Sequence, residues 1–284
     1  MTTSLNPYIS KFDADFDVEK SSQYRMTIQF SLGGFSYALL DSVSDTIIGM
    51  EYYPLDALAD SSEVVKVMER ILDSKGLNNK PFQSVTCLID DRIHSFIPTE
   101  VFDEKEAITY LDFSFQISSE QIVLTEKLMT EPCFNVFAMP KALYTKITSK
   151  WDNTRITHTS TVFVKSILEY APEGKVVFVN VRNRDFDMVI VNDGKLLFYN
   201  NFKFNTKADF AYFLLFALEQ NQMSSLVVPV CFSGLILPNS EIIELCSRYI
   251  KYFMFIEDRH ILQVSETLGE VPYQYYHLHY QALR

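Results

Sequence analysis

Two stretches about 150 residues apart spell the same run of elements, and this repeat limits the fold more than any other feature of the chain. "YRMTIQFSL", "GFSYALLD" and "DTIIGMEYYPL" are rich in aromatic and β-branched residues and are separated by short polar or Gly-containing breaks, which reads as a meander of three strands. "SSEVVKVMERILDSKG" follows as a helix: Ser61 or Ser62 can cap it, Val64, Val67, Met68, Ile71 and Leu72 share one face, and Gly76 ends it. The second half repeats this order with "KVVFVNV", "DFDMVIVND", "GKLLFYNNF" and the helix "NTKADFAYFLLFALEQNQ". There Thr206 and Asp209 form a capping box, and Phe210, Phe213, Leu214 and Ala217 line a face. Phe35 falls beside Phe186 at an offset of 151, and Ile47 beside Leu196 at 149, so the meanders superpose with one small gap in a turn. The pattern is an internal duplication of a βββα unit.

Each copy continues with a strand, a helix and a strand: "CFNVFAMP", "KALYTKITSKW" and "TRITHT" in the first, "SSLVVPVCFS", "NSEIIELCSRYIKYF" and "MFIED" in the second. The first copy also carries an inserted subdomain, residues 82 to about 131. It holds a strand pair around "VTCLIDDRIHSFIP", a helix at "DEKEAITYLDF" and the strand "QIVLTEKLM". "TSTVFVKSILEYAPEG" leads as a helix into the second copy. The expected organisation is an acidic leader (1–21), lobe one (22–157) and lobe two (158–284), each an α/β lobe of βββαβαβ order. Crossover connections put helices on the faces of a mixed sheet, and two such lobes make a central cleft. A chain of 284 residues is also near the size at which a single core divides.

With 48% hydrophobic and 21% charged residues the chain can offset the entropy of folding. The formal charge of −11, without a run of Lys or Arg, disfavours nucleic acid and anionic lipid as partners. The N-terminus lacks the basic flank and apolar run of a signal peptide, and no apolar run approaches the ~18 residues of a membrane span. A cytoplasmic protein is expected. Cys87, Cys133, Cys231 and Cys246 stand far apart among apolar neighbours and read as reduced, structural thiols.

A duplicated βββαβα unit with an insertion in its first copy resembles the actin-like ATPase superfamily, and this order is similar to the pilus-assembly protein M and its cell-division actin relatives. The resemblance covers about residues 22 to 258. "VTCLIDDRIHSFIPTEVFDEKEAITYL" and "FNVFAMPKALY" resemble, more closely, an uncharacterised Bacteroidetes family of actin-like fold, a domain of unknown function. The resemblance implies a ribonuclease H-like fold in each lobe and three nucleotide-holding elements. A first hairpin carries Asp-x-Gly, whose carboxylate holds hydrated metal and whose glycine lets amides reach phosphate. Here it reads Ser31-Leu32-Gly33-Gly34, with Ser31 in the Asp position. A second hairpin should repeat the motif and instead reads Asn180-Val181-Arg182-Asn183-Arg184-Asp185-Phe186-Asp187, without glycine. The third element, a Gly-Gly turn against adenine and ribose, keeps Gly234 alone in Cys231-Phe232-Ser233-Gly234, where Phe232 could take the adenine's space. At the start of the helix into lobe two, Thr157-His158-Thr159-Ser160-Thr161 supplies no carboxylate.

These departures predict a non-enzymatic adaptor or scaffold with no cofactor and a protein partner that the sequence does not identify. The alternative is an ATPase or nucleotide switch holding ATP with Mg through Gly33, Gly34, Ser36, Arg182 and Gly234. A small-molecule kinase would need an acidic base, for which Asp187 and Asp45 are the only offers, and a nuclease is opposed by Ser31 and the charge. Other features read as structure. Arg182 and Arg184 sit in a solvated or salt-bridged hairpin. His277 and His279 lie on one face of a C-terminal strand, half a zinc site at most. Asp90-Asp91 is a hairpin turn, Asp13, Asp15 and Asp17 belong to a mobile leader, and Trp151 fills core.

Overall fold

The computed structural model describes residues 6–31, 33–55, 61–170, 173–257 and 263–284. Two units are distinguished, one of residues 1–162, 261–271 and 279–284, the other of 163–260 and 272–278. Two C-terminal segments thus return to the first unit, whereas the sequence reading kept everything from 158 onward in the second.

In the first unit the order is β1 (Ile9–Phe12), β2 (Tyr24–Ser31), β3 (Gly34–Asp41), β4 (Thr46–Pro54), α1 (Ser61–Ser74) and β5 (Ser84–Asp90). It continues through β6 (His94–Pro98), α2 (Ala107–Asp112), β7 (Gln121–Leu128), β8 (Cys133–Pro140), α3 (Lys141–Lys150), β9 (Thr154–His158) and the start of α4 (Thr159–Glu169). The side chains of the two candidate caps of α1, Ser61 and Ser62, lie outside the described residues. The second unit holds β10 (Lys175–Val181), β11 (Asp185–Asn192), β12 (Lys195–Lys203), α5 (Lys207–Gln220), β13 (Val230–Gly234), α6 (Glu241–Cys246) and β14 (Phe253–Phe255). β15 (Gln263–Val264) adds to β4, and α7 (Tyr273–Leu283) ends the chain.

The larger sheets follow one plan. Their strand orders are β1-β4-β3-β2-β5-β9 and β12-β11-β10-β13-β14, antiparallel across the meander and parallel beyond it. Both meanders shift register at matching places, between Leu39 and Leu40 and between Ile190 and Val191. Each sheet buries an apolar face under its helices, Met26, Ile28, Phe35 and Met68 in one unit and Val179, Phe186, Phe210 and Leu214 in the other. In α5 the box read from sequence forms: Thr206 Oγ1 accepts from Asp209 N at 3.1 Å, and Asp209 Oδ2 accepts from Thr206 N at 3.0 Å. Trp151 is 7% exposed in the first core. All four cysteines are buried and unbridged, and burial pushes the thiols of Cys87, Cys133 and Cys246 up, to about 11 at Cys133 and about 12 at Cys246.

Four expectations are corrected. The insertion is a three-stranded sheet of order β6-β8-β7, while β5 belongs to the main sheet between β2 and β9. "SVTCLID" is therefore the fourth strand of the unit and "CFNVFAMP" part of the insertion; both are apolar runs of similar length, and pairing rather than pattern distinguishes them. The acidic leader contains a strand: Ile9–Phe12 pairs antiparallel with β4. Ser10 Oγ donates to the fully buried Glu51 at 2.6 Å, a carboxylate that also accepts from Tyr37 and Tyr53 and pairs with Lys75 at 3.0 Å. "YQYYHLHYQ" is helical, not extended, and no residue of α7 is fully exposed. Finally, Asp90 is no turn residue: it ends β5 and is 7% exposed.

Candidate functional site

The first hairpin closes on its own chain. Ser31 pairs with Gly34, its Oγ donates to the Gly34 carbonyl at 3.1 Å, and the Gly33 carbonyl accepts from Leu55 N at 3.0 Å; Leu32 lies outside the described residues. Gly34 is glycine because β4 presses on it: a Cβ there would stand 2.9 Å from Tyr52 Cε2 and 3.1 Å from the Tyr53 carbonyl. Ser36, on β3, is buried, with Oγ 2.7 Å from His279 Nε2, while His279 Nδ1 lies 2.7 Å from Thr27 Oγ1. Burial pushes the His279 imidazole down to about 3, so it is neutral, one nitrogen donating and the other accepting between two hydroxyls. On a helix two residues lie about 200° apart, so His277 faces away from His279. It meets Ser166 Oγ at 3.0 Å and Tyr273 OH at 3.1 Å, also pushed down to about 3 by burial. Helix geometry thus separates the two halves of the suggested zinc site. Among the described residues no three His, Cys, Asp or Glu side chains gather as metal ligands.

At the carboxyl ends of β5 and β9 lies a buried polar cluster that the sequence reading missed. Asp90 accepts from Gln29 Nε2 at 2.9 Å and Thr159 Oγ1 at 3.0 Å. The neighbouring Asp91 does make the expected turn, accepting from Ile93 N at 3.1 Å. His158 Nε2 donates to the Asp91 carbonyl at 2.7 Å, which leaves Nδ1 to accept from Ser160 N at 3.1 Å and Ser160 Oγ at 2.6 Å. Asn135 Nδ2 donates to Ser160 Oγ and Thr161 Oγ1 at 3.0 and 2.9 Å, and Asn135 Oδ1 faces His94 Nδ1 at 3.2 Å. A serine hydroxyl within bonding distance of an imidazole has the spacing of a nucleophile and its base. Ser160 and His158 are each 1% exposed, however, and the far nitrogen is held by a backbone carbonyl, so the pair organises the start of α4 rather than meeting a substrate. The signal was present in "THTST", five hydroxyl and imidazole residues where β9 meets the apolar helix α4.

In the second unit the turn after β10 is cross-linked by Arg182. Its Nε bonds Asp185 Oδ1 at 2.6 Å, Nη1 bonds Asp187 Oδ2 at 2.5 Å, and Nη2 bonds Asp187 Oδ1 at 2.8 Å. Asp187 is 1% exposed and also accepts from Tyr199 OH at 2.6 Å and Asn201 Nδ2 at 3.0 Å. Burial alone would raise this carboxyl, but the Arg182 charge and these hydrogen bonds hold it well below the usual carboxylate range. A carboxylate so stabilised is a poor general base. Asp45, the other candidate, is an exposed turn residue 3.3 Å from Arg25 Nη2.

Gly234 has φ +83°, and a Cβ there would lie 2.2 Å from the Val181 carbonyl, which itself accepts from Leu235 N at 2.7 Å. Phe232 is wholly buried in the apolar core beside Phe210 and Phe255, so it takes no ligand's place. On the other face, Asn201, Asp187, Asn180 and Ser233 stand in register across four strands, and Ser233 Oγ has no hydrogen-bond partner among the described residues.

Two sheets of this shared order, with an inserted sheet in the first unit, define an actin-like ATPase fold. The structure is similar to a Bacteroides thetaiotaomicron protein with actin-like ATPase fold and unknown function: 20% identity, 85% of this chain and 93% of that one covered, TM-score 0.76. It is also similar to a PilM–PilN type IV pilus biogenesis complex, at 8% identity, 91% and 97% coverage and TM-score 0.61. The chain belongs to the family described as "Protein of unknown function (DUF3822)", whose pattern matches residues 13–253. Among curated proteins, none matches the sequence. No helix of the described residues is long and apolar enough to cross a membrane.

Proposed function

We propose that this protein is a cytoplasmic scaffold or adaptor for protein assembly that uses an actin-like framework without turning over nucleotide. The observation that carries the reading is Arg182. The one cation in the five-residue candidate set spends three nitrogens on Asp185 and Asp187, and a guanidinium so neutralised offers little to a phosphate. The other members point the same way: Ser36 is bonded to a buried imidazole, Gly33 and Gly34 serve the turn, and Gly234 fits against Val181. These groups fit in-chain partners better than ATP with Mg. The matching strand orders and register shifts support descent of both units from one duplicated unit. A similar structure, described as a PilM–PilN complex, supports a protein partner by analogy of fold.

One observation favours the switch reading: the unpartnered, buried Ser233 Oγ at the end of β13, beside Gly234. Thermal unfolding with millimolar ATP and Mg separates the two. A ligand at a hundredfold its Kd adds about 2.7 kcal/mol, so a nucleotide switch melts higher by several degrees while a scaffold melts unchanged.

A further inference from the structure

β14 is a sheet edge built without the usual protection. Exposed strands present unpaired amides and carbonyls, and proteins blunt them with charge or proline. Apart from the two-residue β15, the other described sheet edges follow that rule: β1 carries Lys11, β9 Arg155, β12 Lys195 and Lys203, β7 Glu126 and Lys127, and β6 Pro98. β14 reads Phe253-Met254-Phe255, preceded by Tyr252, with no charge and no proline.

Its inner side is fully used. Tyr252 O accepts from Val230 N at 3.0 Å and Ile256 N donates to Phe232 O at 2.8 Å, so the parallel ladder with β13 spans 252 to 256. Backbone groups alternate sides along a strand, which turns those of Phe253 and Phe255 outward, and no described strand pairs there. Lys251 N donates to Ser225 O at 3.1 Å and so brings the 225–228 segment alongside. Leu226, Val227, Tyr249, Tyr252, Phe253 and Met254 are 60, 71, 49, 49, 37 and 50% exposed, an apolar surface of the kind that marks protein contacts. Residues 245–256 hold Arg248 and Lys251 and no acid; Arg248 pairs with Glu244 at 3.3 Å, which leaves Lys251 as the cation next to the strand. Lys251 Nζ stands 5.0 Å above the Tyr252 ring, fixing a cation at the strand's start.

We propose that β14 is a docking edge for an extended protein segment of alternating acidic and apolar residues, which adds to the sheet beside it. Main-chain bonds to Phe253 and Phe255 supply the affinity, the exposed Tyr, Phe and Met side chains take its apolar residues, and Lys251 at the strand's start selects for acid. The inference deepens the scaffold reading and rests on it for the partner's being a protein segment.

The test titrates the full chain, without nucleotide, into a fluorescein-labelled Asp-Phe-Asp-Val-Asp-Phe-Asp peptide followed by anisotropy, with the Lys-Phe-Lys-Val-Lys-Phe-Lys peptide as counterpart. Expected is saturable binding of the acidic peptide that weakens as salt rises, with the basic peptide at least about tenfold weaker. Met254→Lys and Lys251→Glu should each weaken binding about tenfold or more at unchanged melting temperature. If one variant fails to fold, the other decides. The proposal is overturned by no saturation up to about 1 mM peptide, a weak-complex limit, by equal affinity for both peptides, or by binding that survives Met254→Lys. Self-association that Met254→Lys abolishes would make the occupant a second copy and overturn it too. Nucleotide binding found separately would leave these outcomes untouched, and failure here would leave the nucleotide question standing.

Discussion

His279 holds its imidazole between the hydroxyls of Thr27 and Ser36, 2.7 Å from each, and burial keeps it neutral. His277, two residues earlier, is likewise pushed down to about 3 by burial. Both histidines bind protons more readily in the unfolded chain. Their contribution to stability is therefore whole above the unfolded pKa of about 6.5 and is lost as pH falls from there toward about 3. Each adds a slope of up to about 1.4 kcal/mol per pH unit in that window. Urea unfolding between pH 7 and pH 5 should show stability falling with acid, and His279→Gln should flatten the slope. A profile level across that window would contradict the buried neutral pair.

Arg182 and Asp187 form a pair in which one partner is almost wholly buried. Removing the cation with Arg182→Ala strands a desolvated carboxylate, at a cost of about 3–5 kcal/mol near neutrality. The pairing depresses the Asp187 pKa, so its stabilisation is present above the ordinary carboxylate pKa and lost as pH falls below it. The penalty of Arg182→Ala should accordingly shrink in acid. Chemical denaturation at two pH values reads both effects; a loss under about 1 kcal/mol at pH 7 would mean that the arginine serves something other than the fold.

Gly234 and Gly174 both have positive φ, +83° and +68°, but only Gly234 is pressed against backbone. Gly174→Ala meets open space and should cost about 1 kcal/mol for its φ alone. Gly234→Ala sets a methyl 2.2 Å from the Val181 carbonyl and should exceed about 3 kcal/mol or prevent folding. Thermal melts of the two variants side by side check the contrast.

Much of this fold was legible in the sequence because its signals are local. The meanders alternate aromatic and β-branched residues, and Thr206 with Asp209 announces α5 by its cap. The errors came where distant partners decide. "YQYYHLHYQ" has the composition of a strand, yet it is a helix whose side chains are hidden on several sides, so no polar stripe marks its period. Ile9–Phe12 looks like a polar tail until Ser10 finds Glu51, which lies 41 residues away. At the candidate site, the residue types at Ser31 and Arg182 could be read. The bonds that occupy Arg182 and Ser36 could not, since His279 lies 243 residues from Ser36. Asp90 was missed for the same reason, its partners Gln29 and Thr159 being remote in sequence.

If in-chain bonds occupy the groups that would hold a nucleotide, isothermal titration of the full chain with ATP, to about 1 mM, a weak-complex limit, gives no saturable heat, with or without Mg. A micromolar, Mg-dependent isotherm that is lost in Gly33→Trp would contradict that occupancy.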